Sequence, residues 1–401
     1  LEDWLTTRAR THADRPALEV GGQVLSYAEL DVRAAGVAGA LLGAGTGSGE
    51  RVATTLAPGA DFVALLHACT RLGIALVPLN PSLPPGEREA MAVLAGAEMV
   101  IEEPLEPAAA PDLGPAIDPE AVHTVIFTSG STATPRPIEL TNANHAASAA
   151  ASAWNLGVDP DDRWLCVLPL FHVGGLSILL RSVIYGTTAV IHDSFDARAV
   201  AAALATGRIS LASLVPTMLR RLREAGLTDA PGLRAILLGG GPIPADLLEW
   251  AREAGLPVAP TYGMTETASQ VATADPVQAL EGIRGARALQ GADIRIADDG
   301  EILVRGEMVS RGALADDGWL HTGDLGRIDD GLLQVTGRLK DVIVSGGENV
   351  SPAEVEEALL HHPCVLDAGV SGVADPEWGE AVSAFVVARD VTAAELIEHC
   401  R

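Results

Sequence analysis

Lysine is almost absent from this 401-residue chain: of 27 basic residues, Lys340 alone is lysine and the rest are arginine. Against 53 acidic residues the formal charge is -26 at pH 7. A surface of that sign repels nucleic acid and anionic membranes, and no basic run interrupts it, so neither is expected as the main partner. The lysine shortage has two readings, a coding bias toward Arg, Ala, Gly and Pro or adaptation to high salt. Cysteine is scarce as well. Cys69, Cys166, Cys364 and Cys400 form no C-x-x-C pair, which speaks against a zinc site and a disulfide framework and fits a reduced cytoplasm. His361, His362 and Cys364 have the donor types of a metal site, but a solvated helix end is the simpler account. No uninterrupted apolar run reaches the ~18 residues of a spanning helix, and no leader pattern opens the chain, so membrane insertion is not expected.

Aromatic residues make up only 3%, yet total hydrophobic content is 48%. A chain of this length and composition fills a large core and divides into two or more domains. From about residue 120, strand-like runs at 124–127, 165–168, 188–191, 211–214 and 235–238 alternate with helical stretches at 142–153, 175–185, 196–206, 216–225 and 244–254. That rhythm predicts parallel sheets covered by helices. Earlier, 61–72 and 87–94 read as helices and 75–78 and 99–101 as strands. Beyond 285 come short strands at 294–296 and 301–305, then a small α+β segment with strands at 342–344, 366–370 and 382–388, a helix over 352–361 and a last helix from 392. The expected organisation is α/β, with a large domain over 1–337, a boundary at 338–341 and a small domain over 342–401.

Three stretches concentrate polar chemistry. Thr128, Ser129, Gly130, Ser131 and Thr132 follow an apolar strand, and five small residues there can turn amides and hydroxyls toward one multi-oxygen anion. The same residues also make an ordinary loop. Their spacing is not that of a P-loop, which needs Gly-Lys-Ser/Thr ahead of a helix. In Thr-Tyr-Gly-Met-Thr-Glu-Thr, 261–267, Tyr262 offers an aromatic face to a flat ring, and Thr265 and Glu266 offer hard oxygens suited to magnesium. In Trp-Leu-His-Thr-Gly-Asp-Leu-Gly, 319–326, Asp324 is placed to accept from two neighbouring hydroxyls such as a ribose presents. The last two also read as capped turns.

Taken with Leu-Gly-Gly-Gly-Pro (238–242), Gly-Arg-Leu-Lys-Asp (337–341) and Ser-Gly-Gly-Glu-Asn-Val-Ser-Pro-Ala-Glu-Val-Glu (345–356), these stretches stand in the order and spacing of the adenylate-forming acyl-CoA synthetase superfamily. The chain resembles that family over nearly its whole length. The resemblance implies a distorted barrel-like part in the large domain and an enzyme that joins a carboxylic acid to the α-phosphate of ATP, releases pyrophosphate, and passes the acyl group to CoA. It implies that Thr128 to Thr132 grip phosphates and that Gly239, Gly240 and Gly241 border the adenine. Tyr262 would stack on that ring. Thr265 and Glu266 would bind magnesium or phosphate, Thr128 would share the metal, and Asp324 and Arg338 would hold the ribose. The boundary at 338–341 would be a hinge, with Lys340 in it, about which a mobile small domain rotates between the two half-reactions.

Residues 161–186 resemble the o-succinylbenzoate-CoA ligases, in which this region lines the acyl pocket. Their substrate has a second carboxylate, which needs a cation or several donors once the first is activated. Arg181, nine residues past His172, is the candidate, although a helix-surface arginine fits the spacing as well. His172, Gly174 and Gly263 are expected to shape the pocket.

The chain departs from the family in its phosphate loop, where Ala133, Thr134, Pro135, Arg136 and Pro137 replace a usual Gly, an often-Lys position, Pro, Lys and Gly. Arg136 keeps the cation and is counted with Glu266 and Thr265 among the catalytic candidates. The family's catalytic lysine falls beyond the last helix here, and a trimmed chain is the expectation. Other readings stay open: an aryl or fatty acyl-CoA synthetase, a stand-alone adenylation enzyme that loads a carrier protein, or a catalytically impaired adenylate binder. Oligomeric state is open too, a homodimer included.

Overall fold

The computed structural model describes residues 1–128, 135–282 and 285–400. Ser129, Gly130, Ser131, Thr132, Ala133 and Thr134 of the expected phosphate loop lie outside the described residues. The chain forms two compact units, one of Leu1–Ala292 with Gly306–Leu314 and one of Asp293–Arg305 with Ala315–Arg401.

In the first unit, strands Pro16–Val20, Thr188–Ile191, Arg163–Cys166, Leu211–Leu214, Ala235–Leu238 and Val258–Met264 run parallel through the middle of a nine-stranded sheet. All four residues of Thr188–Ile191, Leu211–Leu214 and Ala235–Leu238 are buried. Burial on both faces is why these strands read as short runs that are apolar apart from Thr188 and Ser213. The edges are antiparallel: Gln23–Ser26 on one side, Ser269–Thr273 and Arg287–Ala288 on the other. A second, five-stranded sheet sets Met99–Ile101, Arg51–Thr54, Ala75–Pro78 and Val122–Thr128 side by side and ends in Arg136–Thr141.

That last strand is a return the sequence pattern concealed. Residues 125–137 read as a strand running into a loop, whereas Arg136–Thr141 folds back antiparallel on Val122–Thr128, with Phe127 opposite Pro137 and Thr128 opposite Arg136. A proline lacks the amide a central strand needs, but Arg136–Thr141 is the sheet edge, where the loss is tolerated. Helix Tyr27–Gly43 also has no counterpart in the periodicity reading, because its many Ala and Gly residues blur the apolar stripe. Its start is nonetheless written in the sequence: Ser26 and Glu29 form a reciprocal capping box.

The second unit contains a four-stranded sheet in the order Ala292–Ile296, Glu301–Gly306, Leu320–Asp329, Leu332–Arg338. The last two strands are joined through Asp330 and Gly331 at φ 50° and 76°, the left-handed pair that suits a tight hairpin. A further sheet of Glu348–Val350, Ile343–Ser345, Gly379–Ala388 and Val365–Asp375 packs helices Pro352–Leu360 and Ala393–His399 around Leu359, Val365 and Leu396. Among the described residues no helix is long and apolar enough to cross a membrane.

Candidate active site

Thr128 and Arg136 close the two strands on either side of the expected phosphate loop. The Thr128 hydroxyl donates to the Arg136 carbonyl at 3.4 Å, and the exposed Arg136 guanidinium donates through Nη2 to the Gly312 carbonyl at 3.3 Å. Ser310 then ties this pair to a second element. Its amide donates to the Glu266 carbonyl and its hydroxyl to the Glu139 carbonyl, each at 2.8 Å. Thr265 and Glu266 are thereby held beside the strands that carry Thr128 and Arg136. Asn144 fixes the same Gly306–Leu314 segment from helix Asn142–Leu156, donating to the carbonyls of Glu307 and Val309 at 2.7 and 3.1 Å.

Glu266 stands on a single 3-10 turn, Thr265–Thr267, between strands Val258–Met264 and Ser269–Thr273. Reversing the chain so tightly forces Ala268 and Ser269 to φ 49° and 109°, conformations that cost non-glycine residues free energy and cluster at functional sites. The buried Thr267 hydroxyl supports the reversal by donating its hydrogen to the Ser269 carbonyl at 2.8 Å and accepting from the Met264 amide at 3.0 Å. Gly263 has no room for a side chain, since a Cβ there would come within 1.9 Å of the Ser269 oxygen. Gly239 is confined in the same way. Its added Cβ would lie 2.7 Å from the Thr261 oxygen, so the Gly239–Gly241 turn is packed against the strand that carries Tyr262. Gly240 takes φ 81°.

His172 occupies the position just before helix Val173–Tyr185 without a side-chain capping bond, its ring 4.6 Å from that of Phe171, and the protein packed around the imidazole lowers its pKa by desolvation. Sequence reading named Gly174 here. The glycine the backbone demands is Gly175, where a Cβ would meet the Pro169 oxygen at 2.4 Å.

Arg181 is no helix-surface arginine: it is 2% exposed. Its Nη1 donates to Gln270 Oε1 and its Nη2 to Ser148 Oγ, both at 2.9 Å, and Trp164 lies 5.9 Å from its guanidinium carbon. Burial lowers its pKa from the ordinary arginine value, with Tyr185 acting in the opposite direction. Among the described residues Arg181 Nε and Gln270 Nε2 have no acceptor. Two adjoining buried donors of this kind suit an anionic guest.

In the second unit Asp324 and Arg338 are register partners, with Arg338 Nε 3.2 Å from Asp324 Oδ1. Lys340 is exposed on the 3-10 turn Leu339–Asp341. Sequence reasoning missed Ser148, Gln270, Ser310 and Glu301. Each is an ordinary polar residue outside any motif, and only the tertiary fold gives it a partner.

Two family profiles match the chain: AMP-binding enzyme over residues 5–315 and AMP-binding enzyme C-terminal domain over 354–401. The chain is 40% identical over 442 aligned positions to the 2-succinylbenzoate-CoA ligase of Bacillus licheniformis, covering 100% of this chain and 92% of that protein. Its fold matches o-succinylbenzoate CoA synthetase (MenE) from Bacillus subtilis in complex with the acyl-adenylate intermediate OSB-AMP, with TM-score 0.91, 37% identity and coverage of 100% and 91%. The same enzyme in complex with ATP and magnesium ion gives TM-score 0.91 and 37% identity, with coverage of 100% and 93%. The chain belongs to the AMP-binding enzyme family, in the branch of the 2-succinylbenzoate-CoA ligases.

Proposed function

We propose that this protein activates o-succinylbenzoate with ATP and transfers the acyl group to CoA. The carrying observation is the Ser310 bridge, which holds the turn of Thr265 and Glu266 beside the strand ends of Thr128 and Arg136. A carboxylate is a poor electrophile because its charge repels nucleophiles. In the first step its oxygen attacks the α-phosphorus of ATP, the bond to the bridging oxygen breaks, and pyrophosphate leaves. In the second the CoA sulfur attacks the acyl carbon, AMP departs, and the thiol proton passes to solvent.

The Thr128 hydroxyl donates to phosphate oxygens, and the Arg136 guanidinium offsets the charge that builds on the departing pyrophosphate. Gly239 to Gly241 leave room for the adenine edge against Tyr262, while Asp324 and Arg338 grip the ribose. Among the described residues no three His, Cys, Asp or Glu side chains are grouped to hold a metal ion. Glu266 and Thr128 nevertheless supply the carboxylate and hydroxyl oxygens that magnesium favours, and a magnesium site of this type draws its remaining ligands from phosphate and water. Bound there, the ion would neutralise phosphate charge.

Arg181 and Gln270 supply donors for the carboxylate that is not activated, and His172, Gly174 and Gly263 shape the acyl pocket. The reaction belongs in the cytoplasm, and the large domain over 1–337 and small domain over 342–401 pivot at 338–341, where Lys340 absorbs the backbone change. Pyrophosphate release with o-succinylbenzoate, benzoate and octanoate, followed by CoA thioester detection, tests the reading. Rapid release with the first acid alone is expected; equal rates on all three would remove the substrate assignment.

A further inference from the structure

Asp324 lies within strand Leu320–Asp329, beside an irregularity in that strand's pairing with Glu301–Gly306, and the three residues before it are tied to the latter strand. Glu301 is 7% exposed, and a carboxylate so buried needs partners on both oxygens. Oε1 accepts the Gly323 amide at 2.8 Å, and Oε2 lies 2.8 Å from His321 Nδ1. The other imidazole nitrogen, Nε2, is 3.2 Å from Asp317 Oδ2, and Arg295 Nη2 stands 3.8 Å from that same carboxylate oxygen. One residue along, the Thr322 hydroxyl donates to the Ile302 carbonyl at 2.7 Å and accepts the Asp324 amide at 3.1 Å. Gly323 itself is at φ 70°, one of several conformations open to glycine at little steric cost, so the bond from its amide to Glu301 selects among them.

We propose that Glu301 is a positioning residue for the nucleotide's ribose. It holds the Gly323 peptide so that the next residue, Asp324, keeps its carboxylate in one orientation, and His321 keeps Glu301 in place. Glu301 itself touches no substrate. The inference rests on the ribose reading of Asp324, and its test separates the two.

Binding of AMP and of 2′,3′-dideoxy-AMP to the full chain is measured by titration calorimetry for wild type, Asp324→Asn, Glu301→Leu and Glu301→Gln. Hydrogen bonds to a charged group make wild type favour AMP by about tenfold or more, and Asp324→Asn loses most of that preference. Glu301→Leu, of similar size but with no acceptor, reduces the preference to about threefold or less while leaving the dideoxy nucleotide bound nearly as before. Glu301→Gln, which retains an acceptor for Gly323, recovers much of it. A wild-type ratio in Glu301→Leu, or equal weakening of both nucleotides, beside a lost ratio in Asp324→Asn, overturns the positioning role and leaves the ribose reading standing. A wild-type ratio in Asp324→Asn removes both. If Glu301→Leu fails to unfold cooperatively, His321→Leu is read in its place: a fall of about threefold in the ratio is expected, and no change overturns the inference.

Discussion

Ser148 donates its hydroxyl hydrogen to the carbonyl oxygen of Ala268 at 2.8 Å, and Ala268 is the left-handed residue that closes the turn bearing Glu266. The same Ser148 oxygen accepts from Arg181. One buried hydroxyl thus connects the arginine assigned to the acid with the strained turn assigned to magnesium and phosphate.

Ser148→Ala leaves the Ala268 carbonyl and one Arg181 donor without their partner. The expected destabilisation is about 1–3 kcal/mol, read from denaturant unfolding. Adenylation should fall more than acid binding, because the turn is freed to leave its costly conformation. A variant as unstable as expected but with unchanged pyrophosphate release would show that the strained turn needs no help from Ser148.

Arg181→Ala should raise the KM for o-succinylbenzoate or lower kcat by about tenfold or more, since a charged hydrogen-bond partner is lost, and change benzoate turnover little. Stability is a separate readout. The side chain is buried and bonded to Gln270 and Ser148, so its removal also costs folding free energy, and the selectivity ratio between the two acids isolates the recognition role. An unchanged ratio would reassign Arg181 to structure alone.

The parallel core was legible because strands such as Ala235–Leu238 are buried at every position and so appear as unbroken apolar runs between helices. The tight turn at Glu266 was marked in sequence by its glycine and hydroxyl neighbours, whereas Tyr262 and Asp324 lie within strands Val258–Met264 and Leu320–Asp329. The return strand Arg136–Thr141 was not legible, because Pro137 argues against a strand wherever edge position is unknown. Nor could burial of Arg181 be read: nine residues past His172 is compatible with either face of a helix, and Gln270 and Ser148 come together with it only through the packing of Asn142–Leu156 and Ser269–Thr273.

Three histidines of the first unit make its stability acid-sensitive. His67, His123 and His145 are buried. His123 Nε2 lies 2.7 Å from the Thr70 hydroxyl, His145 Nε2 lies 2.8 Å from that of Thr124, and the two rings meet edge to face at 5.2 Å. Desolvation lowers all three pKa values, opposed at His67 by Asp3 and reinforced at His145 by Arg181, where the value is about 3. Each folded pKa is below the unfolded value of about 6.5, so the unfolded chain binds more protons as pH falls. The stability these neutral rings contribute is present above about pH 6.5 and is lost below it, at up to about 1.4 kcal/mol per pH unit for each histidine. Urea unfolding at steps from pH 8 to 5 should show the decline, and His145→Gln should reduce its slope. A flat profile through that window would rule out the buried neutral trio.

Arg136 is a cation at the strand end beside the proposed phosphate loop, and its hydrogen bond to the Gly312 carbonyl aims it from that strand end. Arg136→Ala should lower kcat for pyrophosphate release by tenfold or more, as loss of a charge-stabilising donor does elsewhere, and Arg136→Lys should recover most of that rate because charge, not the guanidinium fork, is what the departing pyrophosphate requires. By its resemblance to the family's phosphate loop, Thr134 stands where a second cation is expected. Thr134→Lys in the wild-type background should therefore raise kcat, and in Arg136→Ala it should restore part of the lost rate. Single-turnover pyrophosphate release with saturating ATP reads the chemical step directly. A wild-type rate in Arg136→Ala would mean that hydroxyls, backbone amides and magnesium suffice at this loop, and the arginine would then have to be assigned to holding the Gly306–Leu314 segment alone.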